Sequence, residues 1–246
     1  MHEHNEKVNA LVDPVKLPKM AQVRQIFEAS ELEDAAAVLH AELNREAIRQ
    51  TVKPGMSICV TAGSRGICHI DLLIRETVAF LKALGAKPFI IPAMGSHGGA
   101  TAEGQVRVLE HFGITEEALG VEIRSSMETV LVGHTEDGYP VHLDRIANAA
   151  DHIIPIGRVK PHTDFRGPVE SGVMKMLAIG LGKQYGASLC HKLGFPNMGK
   201  SVWNFGSVIL ENCRVLMGLA VVENGEHRTA RIEGIPAAQI RKREPE

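Results

Sequence analysis

Residues 56–66 read Met-Ser-Ile-Cys-Val-Thr-Ala-Gly-Ser-Arg-Gly, an apolar run that ends in a glycine-containing loop. This composition is typical of a buried strand and the turn that follows it. Apolar side chains then recur at helical spacing over residues 69–84, and a second apolar run occupies residues 88–92. The order strand, loop, helix, strand is typical of two parallel strands joined by a crossover helix.

The remaining segments extend this pattern along the chain. We predict further elements at residues 31–49 (a helix opened by a Ser30–Glu33 capping box), 101–113 (helix), 121–124, 129–132 and 140–143 (strands), 144–150 (helix), 152–156 (strand), 201–211 (helix) and 214–232 (a hairpin that turns at Asn224-Gly225). The sequence therefore predicts an α/β fold: a mostly parallel sheet flanked by helices in a Rossmann-like three-layer arrangement, with a C-terminal β-hairpin. Residues 1–24 are interpreted as an N-terminal arm.

The composition narrows the class of protein. The chain has 246 residues, a formal net charge of -2 and 4% aromatic residues, so it offers neither a basic field nor a stacking platform for nucleic acid. No apolar run approaches the roughly 18 residues that span a bilayer, and the polar N-terminus is unlike a signal peptide. The four cysteines form no CxxC pair, which argues against a zinc knuckle or a disulfide framework. We expect a cytoplasmic protein that binds neither nucleic acid nor membrane.

Three glycine-containing loops follow predicted strands, and each carries a basic or titratable side chain. Arg65 lies in the first loop, His97 in the second and His162 in the third, which spans residues 158–172. Ligands of open α/β sheets bind beyond the carboxyl ends of the strands, where these loops should meet. Each loop alone could be a tight turn with its polar residue in water. Three loops at equivalent places favour a shared ligand site.

The third loop leads to a lysine in an apolar frame. Lys175 lies between Met174 and Met176, and burying an unpaired ammonium is costly, which suggests a reactive lysine in a closed pocket. The alternative is a lysine that snorkels along a helix flank. His97 and His162 suit acid/base chemistry if both face one substrate; otherwise they are surface or capping residues.

Two further residues in this part of the chain could bind ligands. His191 could hold a transition metal if the other ligands come from a cofactor or another segment. Lys183 ends the sequence Gly-Leu-Gly-Lys, which superficially resembles a P-loop. The GxxxxGK[ST] spacing is absent, so we reject a P-loop here.

The order of these pieces is more specific than any one of them. The pieces are Ser64-Arg65-Gly66, Gly95-Ser-His97-Gly-Gly-Ala-Thr101, Pro161-His162, Ser171-Gly-Val-Met-Lys175, Ile179-Gly180, and His191 sixteen positions after Lys175. In this order they resemble the N-terminal domain of the nickel-pincer lactate racemase family (LarA-type), from about residue 56 to the end of the hairpin. The chain departs from the family pattern at Ala62 and in the Val173-Met174 pair before the lysine.

The resemblance implies a cofactor and a role for each residue. Such enzymes carry a nickel-pincer nucleotide, of the pyridinium-3,5-bisthiocarboxylic acid mononucleotide type. By resemblance Lys175 tethers it, His191 is the nickel ligand, and Arg65 holds the cofactor phosphate or the substrate carboxylate. His97 and His162 would be the paired acid/base residues, one for each enantiomer.

The implied function is that of an isomerase, which racemises or epimerises a 2-hydroxy acid by hydride transfer through the nickel-pincer nucleotide. Its partners would be the small-molecule 2-hydroxy acid and the cofactor-biosynthesis proteins. Residues 25–240 would be the cofactor-binding domain, and residues 241–246 the start of a linker to a C-terminal domain, without which we expect little turnover. The alternative is a non-catalytic α/β module that binds a nucleotide or organic anion. A hydrolase lacks an evident nucleophile–base motif.

Overall fold

The structure is a computed structural model that describes residues 2–16 and 18–246. Residues 1 and 17, which belong to the predicted arm 1–24, lie outside the described residues. The α-helices are α1 (His2–Val12), α2 (Ala35–Leu43), α3 (Glu46–Thr51), α4 (Ile70–Ala83), α5 (Ala102–His111), α6 (Glu116–Leu119), α7 (Arg145–Ala149), α8 (Val173–Lys175), α9 (Lys183–His191), α10 (Met198–Asn212) and α11 (Ile240–Arg243). The strands are β1 (Ser57–Ala62), β2 (Lys87–Pro92), β3 (Thr129–His134), β4 (Pro140–Asp144), β5 (His152–Ile154), β6 (Ile156–Arg158), β7 (Met217–Glu223) and β8 (Thr229–Pro236).

Strand β1 lies at the centre of a parallel sheet. It pairs with β2 on one side and with β5 on the other, in parallel register in both cases. All of its residues from Ile58 to Ala62 are buried. Burial of both faces is what a parallel sheet covered by helices requires, and it explains why residues 58–62 read as a continuous apolar run.

The sheet continues across a break at Pro155. The predicted strand 152–156 is divided into β5 and β6 because proline has no N–H to donate to the ladder. Its carbonyl still accepts a hydrogen bond from the Leu219 N–H of β7, at 2.9 Å. β6 then pairs in parallel with β7, and β7 pairs antiparallel with β8, so the predicted C-terminal hairpin is confirmed.

Successive residues of β1 face two different hydrophobic cores. Ile58 and Val60 contribute to a core shared with α2 and α4, whereas Cys59 contributes to a second core shared with α8 and α10. Alternation of this kind follows from the two-residue period of a strand. The mostly parallel sheet therefore has helices on both sides, as the predicted three-layer fold requires.

The predicted helix at residues 31–49 is wrong in its start and its continuity. Asp34, not Ser30, caps α2, since its carboxylate accepts the Ala37 N–H at 2.8 Å. The preceding residues cannot be helical because they bind the hairpin: the Leu32 N–H donates to the Thr229 carbonyl at 2.8 Å. A break after α2 separates it from α3, which begins at Glu46.

Three other predictions need adjustment. Of the predicted strand 121–124, only Ile123 forms a parallel bridge, to Ile90 of β2. The hairpin does not turn on two residues, because the Asn224 side chain accepts the N–H groups of Glu226 and Arg228 and thereby closes a longer loop. Residues 240–243 of the C-terminal segment form α11, and Glu244 after it is buried.

The first residue of α9 is a fully buried lysine. Lys183 is 0% exposed, and its ammonium donates to the Pro92 carbonyl at 2.5 Å and to the Gln105 side chain at 3.0 Å. Its ion-pair partner is the Asp144 carboxylate, 3.3 Å away. Asp144 also caps α7 by accepting the Ile146 N–H at 2.7 Å. The rejected P-loop lysine is thus a structural residue that joins β2, α5 and the end of β4.

Replacing Lys183 by methionine should destabilise the fold strongly. The substitution Lys183→Met keeps an unbranched side chain but leaves the Asp144 carboxylate buried without its cation, which costs about 3–5 kcal/mol. Urea unfolding measures the difference in the free energy of unfolding. Lys200→Met is the matched control: Lys200 pairs with exposed Asp137 at 2.8 Å, so its loss should cost about 0–1 kcal/mol. Equal losses for the two variants would contradict the role given to Lys183.

Candidate active site

The loops after β1, β2 and β6 lie at the same edge of the sheet, and a short π-helix packs beneath two of them. This π-helix spans Met176–Gly180 and follows α8 directly. The Gly95 N–H donates to the Gly180 carbonyl at 3.1 Å. A Cβ at position 180 would lie 2.7 Å from the Ala93 carbonyl oxygen, so glycine is needed for this approach. π-helical turns often occur at functional sites.

The loop after β2 carries His97 toward the loop after β1. The Ser64 hydroxyl lies 2.5 Å from His97 Nδ1. The buried Gln105 amide holds the same loop by donating to the carbonyls of Gly95 at 2.9 Å and His97 at 3.3 Å. Desolvation lowers the pKa of His97, and the positive charges of Arg65 and Lys175 lower it further. His97 is therefore neutral near pH 7 and lies beside two cations.

The loop after β6 is folded around His162. The Glu170 carboxylate accepts the backbone N–H of His162 at 2.7 Å, and Arg166 donates to the backbone carbonyl of His162 at 2.5 Å. The imidazole Nδ1 accepts the Asp164 N–H at 3.2 Å. Desolvation and then the charge of Lys175 lower the pKa of His162, while Asp164 partly offsets them.

Lys175 ends α8 and shares a neighbour with His162. The ring of buried Phe165 stacks on the His162 ring with centroids 4.2 Å apart, and Lys175 Nζ lies 5.1 Å from the centroid of the same phenyl ring. A cation over an aromatic face at this distance is weakly attractive. Phe165 thus holds the lysine and the histidine in one neighbourhood, a contact that the sequence did not reveal.

The amine of Lys175 is unusually acidic. Desolvation of this partly buried side chain, followed by the charges of Arg65 and Lys160, lowers its pKa to about 8. The negative charge of Asp164 acts in the opposite direction. A lysine with this pKa has a reactive neutral fraction near neutral pH, and the surrounding cations favour an anionic ligand.

The helix that carries Lys175 is held at its start by Glu244. This buried carboxylate accepts the Met174 N–H at 3.0 Å, and burial raises its pKa to about 7. Gly172 precedes the helix with a φ of 142°, and a Cβ there would lie 2.2 Å from the Glu244 carboxylate. The C-terminal segment therefore fixes the backbone next to Lys175.

His191 lies at the end of α9, and one of its ring nitrogens has no partner within residues 2–16 and 18–246. Its Nδ1 lies 2.6 Å from the Ala187 carbonyl, which can only accept a hydrogen bond, so Nδ1 carries a proton and the lone pair of the neutral ring is on Nε2. Carbonyl-oriented histidines of this kind are common metal ligands. The adjacent Cys190 lies close enough to Lys175 for their charges to affect each other's pKa. The end of α9 is thus near the lysine.

The structure brings Arg65, His97, His162 and Lys175 into one electrostatic neighbourhood, with the segment that carries His191 beside it. In the described part of the chain, there is no group of three or more His, Cys, Asp or Glu side chains suited to a metal ion. None of the helices in that part has the length and apolar character needed to cross a membrane.

The chain matches a known family over most of its length. The model of the lactate racemase N-terminal domain matches residues 5–198. The chain belongs to this family. No curated protein matches it.

A solved structure agrees with the fold of this lactate racemase N-terminal domain. The lactate racemase apoprotein from Thermoanaerobacterium thermosaccharolyticum is similar with a TM-score of 0.51 and 14% sequence identity. The similarity covers 87% of this chain and 54% of that chain, so this chain spans about half the length of the solved structure. At this identity the likeness shows the fold alone.

Sequence reasoning assigned no role to several residues that contact the candidate site residues. Ser64, Phe165 and Glu170 each contact a proposed site residue, yet all three are ordinary loop residues by type. Ser64 and Phe165 could have been selected from the sequence, because each lies within three positions of a candidate site residue. Nothing in the sequence points to Glu244, since its contact with Met174 joins residues 70 positions apart.

The amine of Lys175 should titrate near pH 8 in this racemase-family domain. Site-resolved acetylation rates, measured by mass spectrometry as a function of pH, report the neutral fraction of each lysine. Arg65→Gln removes a positive charge that lowers the pKa, so the midpoint at Lys175 should move to higher pH. Lys200 serves as the internal control, because its hydrogen bond with Asp137 raises its pKa above the ordinary value. A common midpoint for Lys175 and Lys200 would refute the assignment.

Proposed function

We propose that this domain holds a nickel-pincer nucleotide on Lys175 and acts in the racemisation or epimerisation of a 2-hydroxy acid. The observation that carries the proposal is the acidic amine of Lys175, with Arg65 and two histidines of lowered pKa around it. The membership in the lactate racemase N-terminal domain family supports the same reading.

The donor set of this chain fits such a cofactor. A nucleotide phosphate needs cations, which Arg65 and Lys160 supply beside Lys175. The tether needs an amine that is partly neutral at physiological pH, and a pKa of about 8 leaves roughly a tenth of the amine neutral at pH 7. A nickel ion needs an imidazole lone pair, and His191 Nε2 carries one because Nδ1 donates to Ala187. His191 would supply one ligand and the cofactor the others.

The side chains around Lys175 would handle the substrate. Arg65 would bind the carboxylate of the 2-hydroxy acid or the cofactor phosphate, since a guanidinium pairs with either in bidentate fashion. His97 and His162 would exchange the hydroxyl proton, one for each enantiomer, and their lowered pKa values keep both rings neutral near pH 7. When bound, the cofactor would take up and return the α-hydride of the substrate.

The chain spans only part of the solved structure to which it is similar. It covers 54% of the lactate racemase apoprotein, so the substrate, the dependence on cofactor-biosynthesis proteins and turnover by the whole protein are all proposals. We expect these 246 residues to hold the cofactor but to turn over little alone.

Coexpression with the cofactor-biosynthesis proteins should add one mass increment to the protein, located on Lys175. Intact-mass spectrometry and peptide mapping measure it, and nickel is measured on the same sample. Lys175→Ala should lose both the increment and the nickel. His191→Ala should keep the increment and lose most of the nickel, because only the metal ligand is gone.

Lys200→Ala is the matched control for these variants, since it removes an exposed lysine elsewhere on the domain. Absence of any increment and of nickel would reject the proposal. If the protein instead carried no increment after coexpression and bound nicotinate mononucleotide in calorimetry, the non-catalytic binding module would be the better reading.

A further inference from the structure

The three histidines of the candidate site all have Nδ1 bonded within the chain, but to partners of different chemistry. His97 Nδ1 lies 2.5 Å from the Ser64 hydroxyl. His191 Nδ1 lies 2.6 Å from the Ala187 carbonyl. His162 Nδ1 lies 3.2 Å from the Asp164 N–H. Among the residues that the structure describes, none bonds the second ring nitrogen, Nε2, which is left in each case for a ligand or substrate.

The chemistry of each partner decides where the ring proton is. A hydroxyl can donate or accept, a carbonyl can only accept, and a backbone N–H can only donate. Nδ1 of His162 must therefore accept, so the neutral ring carries its proton on Nε2. His191 has the opposite tautomer. His97 can adopt either one, because rotation of the Ser64 hydroxyl exchanges the two roles.

The position of the His162 ring is fixed by contacts that do not depend on its charge. The Phe165 ring stacks on it with centroids 4.2 Å apart, and the Glu170 carboxylate accepts the backbone N–H of His162 at 2.7 Å. The charged groups that face the ring are Lys175 and Lys160, which favour the neutral form, and Asp164 and Glu170, which favour the protonated form. Desolvation is the largest effect and acts in the same direction as the lysines, so the pKa of His162 is lowered overall. The neutral ring therefore predominates.

The proton on Nε2 limits what His162 can do at rest. A neutral imidazole with Nε2–H can donate a hydrogen bond to an oxygen, but Nε2 has no lone pair to accept a proton. Enzymes use histidines of this kind to polarise carbonyl oxygens. A second partner for Nδ1 is at hand, since the Asp164 carboxylate lies 3.8 Å away.

We propose that His162 rests as a neutral Nε2–H donor to the substrate oxygen and becomes a base only when the Asp164 carboxylate replaces the Asp164 N–H at Nδ1. In that exchange Nε2 gives its proton to water and Nδ1 takes a proton from water, so the net charge is unchanged. Asp164 is then a positioning residue that acts through His162. The identity of the oxygen rests on the proposed function, whereas the tautomer does not.

His97 and His162 then differ in what each must do before it can accept a proton. His97 can present either a lone pair or a proton on Nε2 after a hydroxyl rotation alone. His162 must first exchange one Asp164 group for another at Nδ1. Proton transfer by His162 is therefore coupled to a movement of the 162–164 backbone, and proton transfer by His97 is not.

Nitrogen-15 NMR of histidine-labelled protein tests the tautomer directly. The sample is the whole 246-residue chain without cofactor, so a failure of the proposed function cannot affect the result. At pH 7 we expect His162, assigned by the loss of its signals in His162→Gln, to show a protonated Nε2 and an unprotonated Nδ1. The neutral ring of His191, assigned in the same way, should show the reverse tautomer. A His162 that is protonated on Nδ1 at pH 7 would overturn the proposal.

Variants of Asp164 distinguish the effect of its backbone N–H on His162 from that of its carboxylate. Asp164→Asn keeps the N–H and removes the carboxylate, so the Nε2–H tautomer should persist while the pKa of His162 shifts down. Asp164→Pro removes the N–H as well, so the preference for Nε2–H should be lost. If the proline variant does not fold, the asparagine variant decides: a change of its tautomer to Nδ1–H would overturn the proposal.

Discussion

A buried ammonium under the site is the constraint on which the rest of the arrangement depends. Lys183 has no exposed surface, so every one of its hydrogen-bonding partners must come from the chain. Those partners are the last residue of β2, Gln105 on α5 and Asp144 at the end of β4. Gln105 in turn holds the carbonyls of the His97 loop. The ion pair is thus connected to a proposed acid/base residue through one side chain.

Above this anchor, the site combines cations with apolar walls. Desolvation disfavours the charged form of Lys175, and the positive charges of Arg65 and Lys160 disfavour it further. Holding the Lys175 amine here therefore costs stability. Phe165 partly offsets that cost through its contact with Lys175 Nζ. An anionic ligand would offset more of it. This balance is typical of a site built for a ligand, and it agrees with the membership in the lactate racemase N-terminal domain family.

The sequence predicted the features that depend on local pattern. The strands at residues 56–61 and 88–92, the helix after Thr101 and the hairpin all follow from periodicity and turn residues, and all are present within a residue or a few. The start of α2 was wrong because a long-range hydrogen bond from Leu32 to Thr229 overrides the Ser30–Glu33 signal. Likewise, the sequence around Lys183 suggests only a P-loop, since nothing local shows that Asp144 will face the lysine. The candidate residues came from their places in the loops and the apolar frame, and their proposed roles came from the resemblance. How they are held came from the structure.

The central claim is that Lys175 and His191 hold one cofactor at the carboxyl edge of the sheet. Anomalous diffraction at the nickel edge from crystals of the loaded protein tests it most directly. The account predicts a single nickel peak within bonding distance of His191 Nε2 and electron density continuous from Lys175 Nζ. A nickel peak at any other histidine, or a modification on any other lysine, would contradict it.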